Sequence, residues 1–233
     1  MRIDIITGFP DIVEAPLNES IIKMGRQKGA VEIVIHNLRD YTDDKHKTID
    51  DYPYGGGPGM VLKVEPIVRA LDAVFSDFAP DKANILLPSP RGKMLTQSKV
   101  TRYSLQEHLV IICGHYKGID ERVHDFYKIE EISIGDYILS AGEIAALVLV
   151  DAIVRLLPGV LKDIDSAWTD SFSDDLLDAP YYTRPADFRG IRVPEVLISG
   201  DHQRIEKWRW QKREEITRKR RPDLYEKYSK SNK

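Results

Sequence analysis

The sequence predicts an α/β protein built on a mainly parallel sheet, followed by a small helical C-terminal domain. Three observations carry this. Over the first two thirds, short apolar, β-branched runs alternate with helical stretches, as parallel strands joined by crossover helices require. Each strand-like run is followed by Gly, Pro, Asp or Asn, the residues that make turns. The charge is also divided. A net charge of -3 over 233 residues hides 12 Lys and Arg against 6 Asp and Glu in residues 201–233, a local +6 that leaves -9 on the rest. A basic segment on an acidic body fits local contact with a polyanion, and equally a solvated amphipathic helix.

Strands are expected at residues 3–9, 31–37, 84–87, 109–113 and 131–134, with helices at 16–28, 65–75, 96–105 and 119–127. A longer helix should run from Gly142 to about Leu157, where Pro158-Gly159 ends it and closes a first domain at residues 1–159. Residues 160–182, rich in Asp and Ser with few large apolar side chains, read as a flexible linker. Residues 183–233 read as a small basic helical domain that includes a helix at 203–220.

Several classes lose support. The single cysteine, Cys113, excludes an intramolecular disulfide and fits a reducing compartment. The longest apolar run, residues 144–150, falls far short of the ~20 residues of a membrane helix, and Asp4 interrupts any leader-like stretch. A cytoplasmic protein without a membrane partner is expected. No phosphate-binding P-loop, dinucleotide fingerprint, His-Glu-x-x-His pattern or nucleophile elbow occurs, and no metal site is expected. Cys113 ends an apolar strand, where a buried, inert thiol is the expectation.

Three loops should gather at the carboxyl ends of the last three strands, where open α/β sheets bind ligands: residues 87–92, 113–118 and 133–143. Their glycines let backbone approach a ligand, and Ile134, Tyr137 and Leu139 suit the flanks of a flat ring. Taken singly, each loop is also what ordinary turn chemistry produces. The cluster Asp50-Asp51-Tyr52-Pro53-Tyr54-Gly55-Gly56-Gly57-Pro58-Gly59-Met60 is harder to explain as a turn. Ordering so many glycines costs backbone entropy, so a partner that orders this loop would account for it.

That cluster occurs in order with Gly118-Ile119-Asp120-Glu121-Arg122, Ile132-Ser133-Ile134-Gly135-Asp136-Tyr137-Ile138-Leu139-Ser140, Asp170-Ser171-Phe172 and Tyr182-Thr183-Arg184-Pro185. Together they make the chain resemble, over essentially its whole length, the bacterial tRNA (guanine-N1)-methyltransferases, the TrmD family of the SPOUT class. The resemblance implies an α/β domain with a deep trefoil knot, and a homodimer with its active sites at the subunit interface. It implies S-adenosyl-L-methionine held by Leu87, Pro88, Ser89, Pro90, Gly114, Tyr116, Ile134, Gly135, Asp136, Tyr137, Ile138, Leu139 and Gly142. The implied substrate is N1 of the guanosine 3′ of the anticodon, position 37 of tRNA. Mg²⁺ is specified by no residue pattern here.

For the chemistry, the resemblance makes Asp170 the general base that takes the N1 proton and Arg155 the cation that stabilises charge developing on O6. Read without it, Asp170 is one acid among several and Arg155 a cation complementing a helix C-terminus. Asp50, Gly55, Gly56, Gly57, Gly59 and Arg184 are the implied tRNA contacts, and the basic domain, with Trp208 and Trp210, is a further RNA surface or simply a packed core. Two residues depart from the family pattern. Lys117 stands where many members carry Glu, and Ala141-Gly142 replaces the usual pair of glycines. Neither touches Asp170 or Arg155, so activity should survive. A SPOUT methyltransferase with another RNA target and a non-catalytic RNA-binding protein remain as alternative readings.

Overall fold

A computed structural model describes residues 1–76, 83–161, 170–172 and 174–231. They divide into two compact units, one within Met1–Ile164 and one within Asp165–Lys233.

The first unit is built on five strands: β1 (Arg2–Thr7), β2 (Glu32–Asn37), β5 (Ala83–Met94), β6 (His108–Ile112) and β7 (Ile129–Ser133). They form a wholly parallel sheet in the order β2-β1-β6-β5-β7, while β3 (Asp50–Asp51) and β4 (Val61–Leu62) make a separate two-stranded ribbon. Both sheet faces are covered, which is why its strands are continuous Ile, Leu and Val runs. One face packs Ile3, Ile5, Leu109 and Ile111 with Leu149 and Ile153 of helix α6 (Gly142–Val154). The other packs Ile6, Val110 and Ile112 with Ile67 and Leu71 of α3 (Val64–Val74).

All five expected strands are present, and three helices differ little from their expected ranges: α3, α4 (Gln97–Ser104) and α6. Two others are corrected. The helix expected at 16–28 is a pair, α1 (Pro10–Leu17) and α2 (Ser20–Gln27), because the chain turns at Asn18-Glu19 and Ser20 takes the left-handed value φ 51°. The helix expected at 119–127 shrinks to α5 (Val123–Phe126), because Asp120 turns the chain by accepting from the backbone N–H and guanidinium of Arg122, each at 2.9 Å. The loop expected at 87–92 interrupts a strand instead of ending one. Ile132 of β7 sits opposite both Pro88 and Lys93, so residues 89–92 bulge from the ladder and β5 then resumes. Proline supplies no ladder N–H at 88 or 90. A Cβ on Gly92 would overlap the backbone of Glu131 and Ile132, so only glycine allows this passage.

Asp4 of β1 is fully buried, and its carboxylate is held by His36 Nε2 at 2.6 Å, His108 Nε2 at 2.7 Å and Arg2 Nε at 2.8 Å. Burial alone would raise its pKa, but these three partners together outweigh burial and hold it well below the usual carboxylate range.

The second unit contains a hairpin, β8 (Asp187–Phe188) with β9 (Ile191–Arg192), and helices α7 (Glu195–Ile198), α8 (His202–Arg220) and α9 (Pro222–Ser231). The hairpin is an addition to the helical domain expected from sequence. The basic helix expected at 203–220 is α8, capped by Asp201, whose side chain accepts from the Arg204 N–H at 3.1 Å. Residues 162–169 and 173 of the expected linker lie outside the described residues. Its described part is bonded to α8: Thr217 Oγ1 accepts from the Leu177 N–H at 2.8 Å, and Asp174 pairs with Arg213 at 2.5 Å. Trp208 and Trp210 each have an aromatic neighbour, Tyr182 and Tyr228 respectively.

Candidate active site

A cavity of about 560 Å³ opens at the carboxyl ends of β5, β6 and β7. That volume is typical of small-molecule sites. Leu87, Pro88, Ser89 and Pro90 form one wall, Gly114 and Tyr116 a second, and Ile134, Gly135, Tyr137, Ile138 and Leu139 a third, with Gly142 at the base. The structure thus gathers every cofactor residue expected in these loops except Asp136, which is exposed and does not line the cavity.

The walls fit together closely. The Gly142 N–H donates to the Gly114 carbonyl at 2.7 Å, and a Cβ on Gly142 would lie 2.8 Å from the Gly114 nitrogen. The first turn of α6 therefore abuts the loop after β6 only because residue 142 has no side chain. Ala141, just before it, has φ -155° and ψ 155°, extended backbone open to any residue, so the alanine departure costs nothing there. Tyr116 holds a left-handed φ of 58°, unusual for a side chain of this size. Its ring meets that of His115 edge-on at 4.4 Å, and the Phe9 ring lies 4.5 Å from the same His115 ring. His115 Nδ1 is buried without a hydrogen-bond partner among the described residues, in the lining of the cavity.

Sequence reasoning missed several residues of this site. Arg91 lines the cavity and pairs at its rim with Glu131 at 3.0 Å and Glu121 at 3.2 Å, and the nearby charge of Glu131, then the bond to Glu121, raise its pKa. Lys117, noticed only as a departure, also lines the cavity, and its stem lies against the glycine loop: a Cβ on Gly59 would come within 3.0 Å of its Cγ. Glu143, in the first turn of α6 beside the cavity's Gly142, is buried and accepts from Thr7 Oγ1. An acid in the first turn of a helix is a readable signal, but its distant partner is not. Cys113 is buried and its thiol is pushed up by burial and by Glu143, as expected for an inert thiol.

The loop of residues 52–60 joins β3 to β4 and sits beside the cavity, since the Leu62 N–H donates to the Gly118 carbonyl at 3.0 Å. Gly55, Gly56, Gly57 and Gly59 all have φ between 75° and 108°, a run that only glycine adopts without strain. Tyr52 and Tyr54 project from it, 78% and 100% exposed, and Asp50 anchors its base in β3.

Arg155 is not brought to the cavity. It caps the far end of α6, about 20 Å from Gly142 by helical rise. Asp170 and Arg184 belong to the second unit. Among the described residues no group of three His, Cys, Asp or Glu is placed to hold a metal ion, and no helix is long and apolar enough to cross a membrane.

A parallel sheet with a cavity at the carboxyl ends of three neighbouring strands defines an α/β protein of the ligand-binding class. Residues 1–227 match the family model described as tRNA (Guanine-1)-methyltransferase TrmD, and the chain belongs to this family, which is of the SPOUT class. It is 51% identical over 231 residues to a tRNA (guanine-N(1)-)-methyltransferase of Cytophaga hutchinsonii, covering 99% of this chain and 97% of that one. A protein of the same name from Geobacillus kaustophilus is 52% identical over 228 residues, 98% of this chain and 93% of its own.

Proposed function

We propose that this protein methylates N1 of the guanosine at position 37 of tRNA, 3′ of the anticodon, with S-adenosyl-L-methionine as donor, and that it works as a cytoplasmic homodimer. The observation that carries the reading is the cavity formed by three sequence-distant loops, in a chain of this family. The lining fits the donor: apolar side chains and glycine backbone suit its purine. When bound, the donor supplies an electrophilic methyl group on a sulfonium.

The protein's own residues do the rest. Guanine N1 carries a proton at neutral pH, and Asp170 accepts it. As it leaves, charge moves to O6, where Arg155 stabilises the transition state more than the ground state. The position of Arg155, remote from the cavity of its own chain, supports a site completed by the partner subunit. So does α6, an almost wholly apolar helix whose Ile144 and Val148 remain 50% and 43% exposed on one face. In this reading residues 1–159 bind the donor, 160–182 link, and 183–233 bind tRNA together with the loop from Asp50 to Gly59.

Purified protein, the donor and a tRNA transcript with G after the anticodon should yield N1-methylguanosine by nucleoside mass spectrometry. Replacing that G alone should abolish the product. Undiminished methylation of the altered transcript would point to another RNA position, and tRNA binding without product to a non-catalytic role.

A further inference from the structure

Among the described residues, three fully charged side chains line the cavity at the ends of β5, β6 and β7: Arg91, Lys117 and Glu121. Two of these charges meet each other. Arg91 pairs with Glu121 at 3.2 Å, and again at 3.0 Å with Glu131, which does not line the cavity. Lys117 has no ion-pair partner among the described residues, so its ammonium is the charge that the lining leaves unmatched.

The neighbouring glycine loop sets the place of this side chain. The Lys117 N–H donates to the Met60 carbonyl at 3.0 Å, which ties the loop after β6 to the end of the glycine loop. Gly59 then leaves room for the stem: a Cβ there would lie 3.0 Å from Cγ and 3.2 Å from Cε of Lys117. The φ of 96° at Gly59 itself disfavours any side chain, so the space stays open. A lysine stem laid along such a surface keeps its charged head in water, and Lys117 is exposed.

We propose that Lys117 recognises the α-carboxylate of S-adenosyl-L-methionine, and so makes the site select a donor whose amino-acid end is intact. The assignment rests on the donor reading above and deepens it. The donor carries one anion, that carboxylate, beside an ammonium and a sulfonium. Ile134, Ile138 and Leu139 suit its purine, which leaves the amino-acid end to the charged part of the lining. There an unpaired ammonium gains a charge-assisted hydrogen bond, whereas Arg91 would first have to release two carboxylates. The same ammonium repels a ligand that keeps both positive charges and lacks the carboxylate, which sharpens the selection.

The test is calorimetric binding of two ligands to the full-length protein: S-adenosyl-L-methionine and its decarboxylated analogue, which keeps the purine, the sulfonium and the amine. Lys117→Met preserves the stem against Gly59 and removes the charge. It should weaken the intact donor about tenfold, while affinity for the analogue stays the same or rises. Lys117→Arg should restore most of the loss. Lys117→Glu should deepen it and tighten the analogue, a reversal that a packing role would not produce. Equal weakening of both ligands in Lys117→Met would assign the side chain to loop packing and overturn the proposal. Unchanged donor affinity would overturn it too, and a raised KM for tRNA in that variant would give the ammonium to a phosphate. Wild-type protein that binds neither ligand would instead overturn the donor reading on which the proposal rests.

Discussion

Thr7 and Glu143, 136 residues apart in sequence, meet in the interior through a hydrogen bond of 2.6 Å. Thr7 Oγ1 also accepts the Phe9 N–H at 2.9 Å, so one hydroxyl joins the end of β1, the residue whose ring lies against His115 and the first turn of α6. The other Glu143 oxygen has no partner among the described residues. Thr7→Val keeps the shape and removes the donor, leaving the carboxyl group fully unsatisfied. It should cost about 2 kcal/mol in urea unfolding and weaken donor binding by calorimetry. Donor affinity unchanged in a destabilised variant would show that the pair supports the fold alone.

The remoteness of Arg155 gives a complementation experiment. Arg155→Ala and Gly142→Val should each be inactive, the second because its side chain strikes the Gly114 backbone. Mixed and allowed to exchange subunits, they should recover roughly a quarter of wild-type activity, since half the dimers are mixed and each holds one intact site of two. No recovery would place both functions in one chain.

Asp170→Asn should lower the methylation rate by about 10²- to 10⁴-fold and leave donor affinity unchanged, as removal of a general base does. Single-turnover kinetics separates this from slow product release. A decrease within about twofold would remove Asp170 from the chemistry.

Asp4 governs the acid response of the fold. Its folded-state pKa is depressed, so the stabilisation is complete above the unfolded value of about 4 and is lost as pH falls below it. Asp4→Asn should cost about 3 kcal/mol at pH 7 by removing the buried carboxylate that His36, His108 and Arg2 share, and should flatten the acid limb of the stability curve. Denaturant titrations from pH 7 to pH 3 measure both. A variant as acid-sensitive as the wild type would assign that limb to other groups.

The strands of the sheet were legible because Ile3, Ile5, Leu109 and Ile111 form runs that local pattern detects. So were the three loops, since glycine and proline mark them and strand polarity gathers them at one end. Asp136 escaped, because position within a loop does not tell which side chains turn inward. The continuation of β5 to Met94 escaped too: two prolines read as a strand's end, and only pairing with β7 reveals the resumption. Long-range partners such as Thr7 with Glu143 and Asp4 with His108 leave no local trace. Asp170 and Arg155 were named on family resemblance alone, since nothing in the local sequence around them marks a role.

The bulge at residues 89–92 is bracketed on both sides by hydrogen-bonded strand, at Pro88 and again at Lys93. A segment pinned at both ends has no hinge, so this wall of the cavity is rigid before any ligand arrives. Because residues 89–92 stand outside the ladder, the register on either side is set by pairing with β7 and not by the length of the bulge. The side chains of Ser89, Pro90 and Arg91 therefore shape the pocket on a frame that the sheet holds in place.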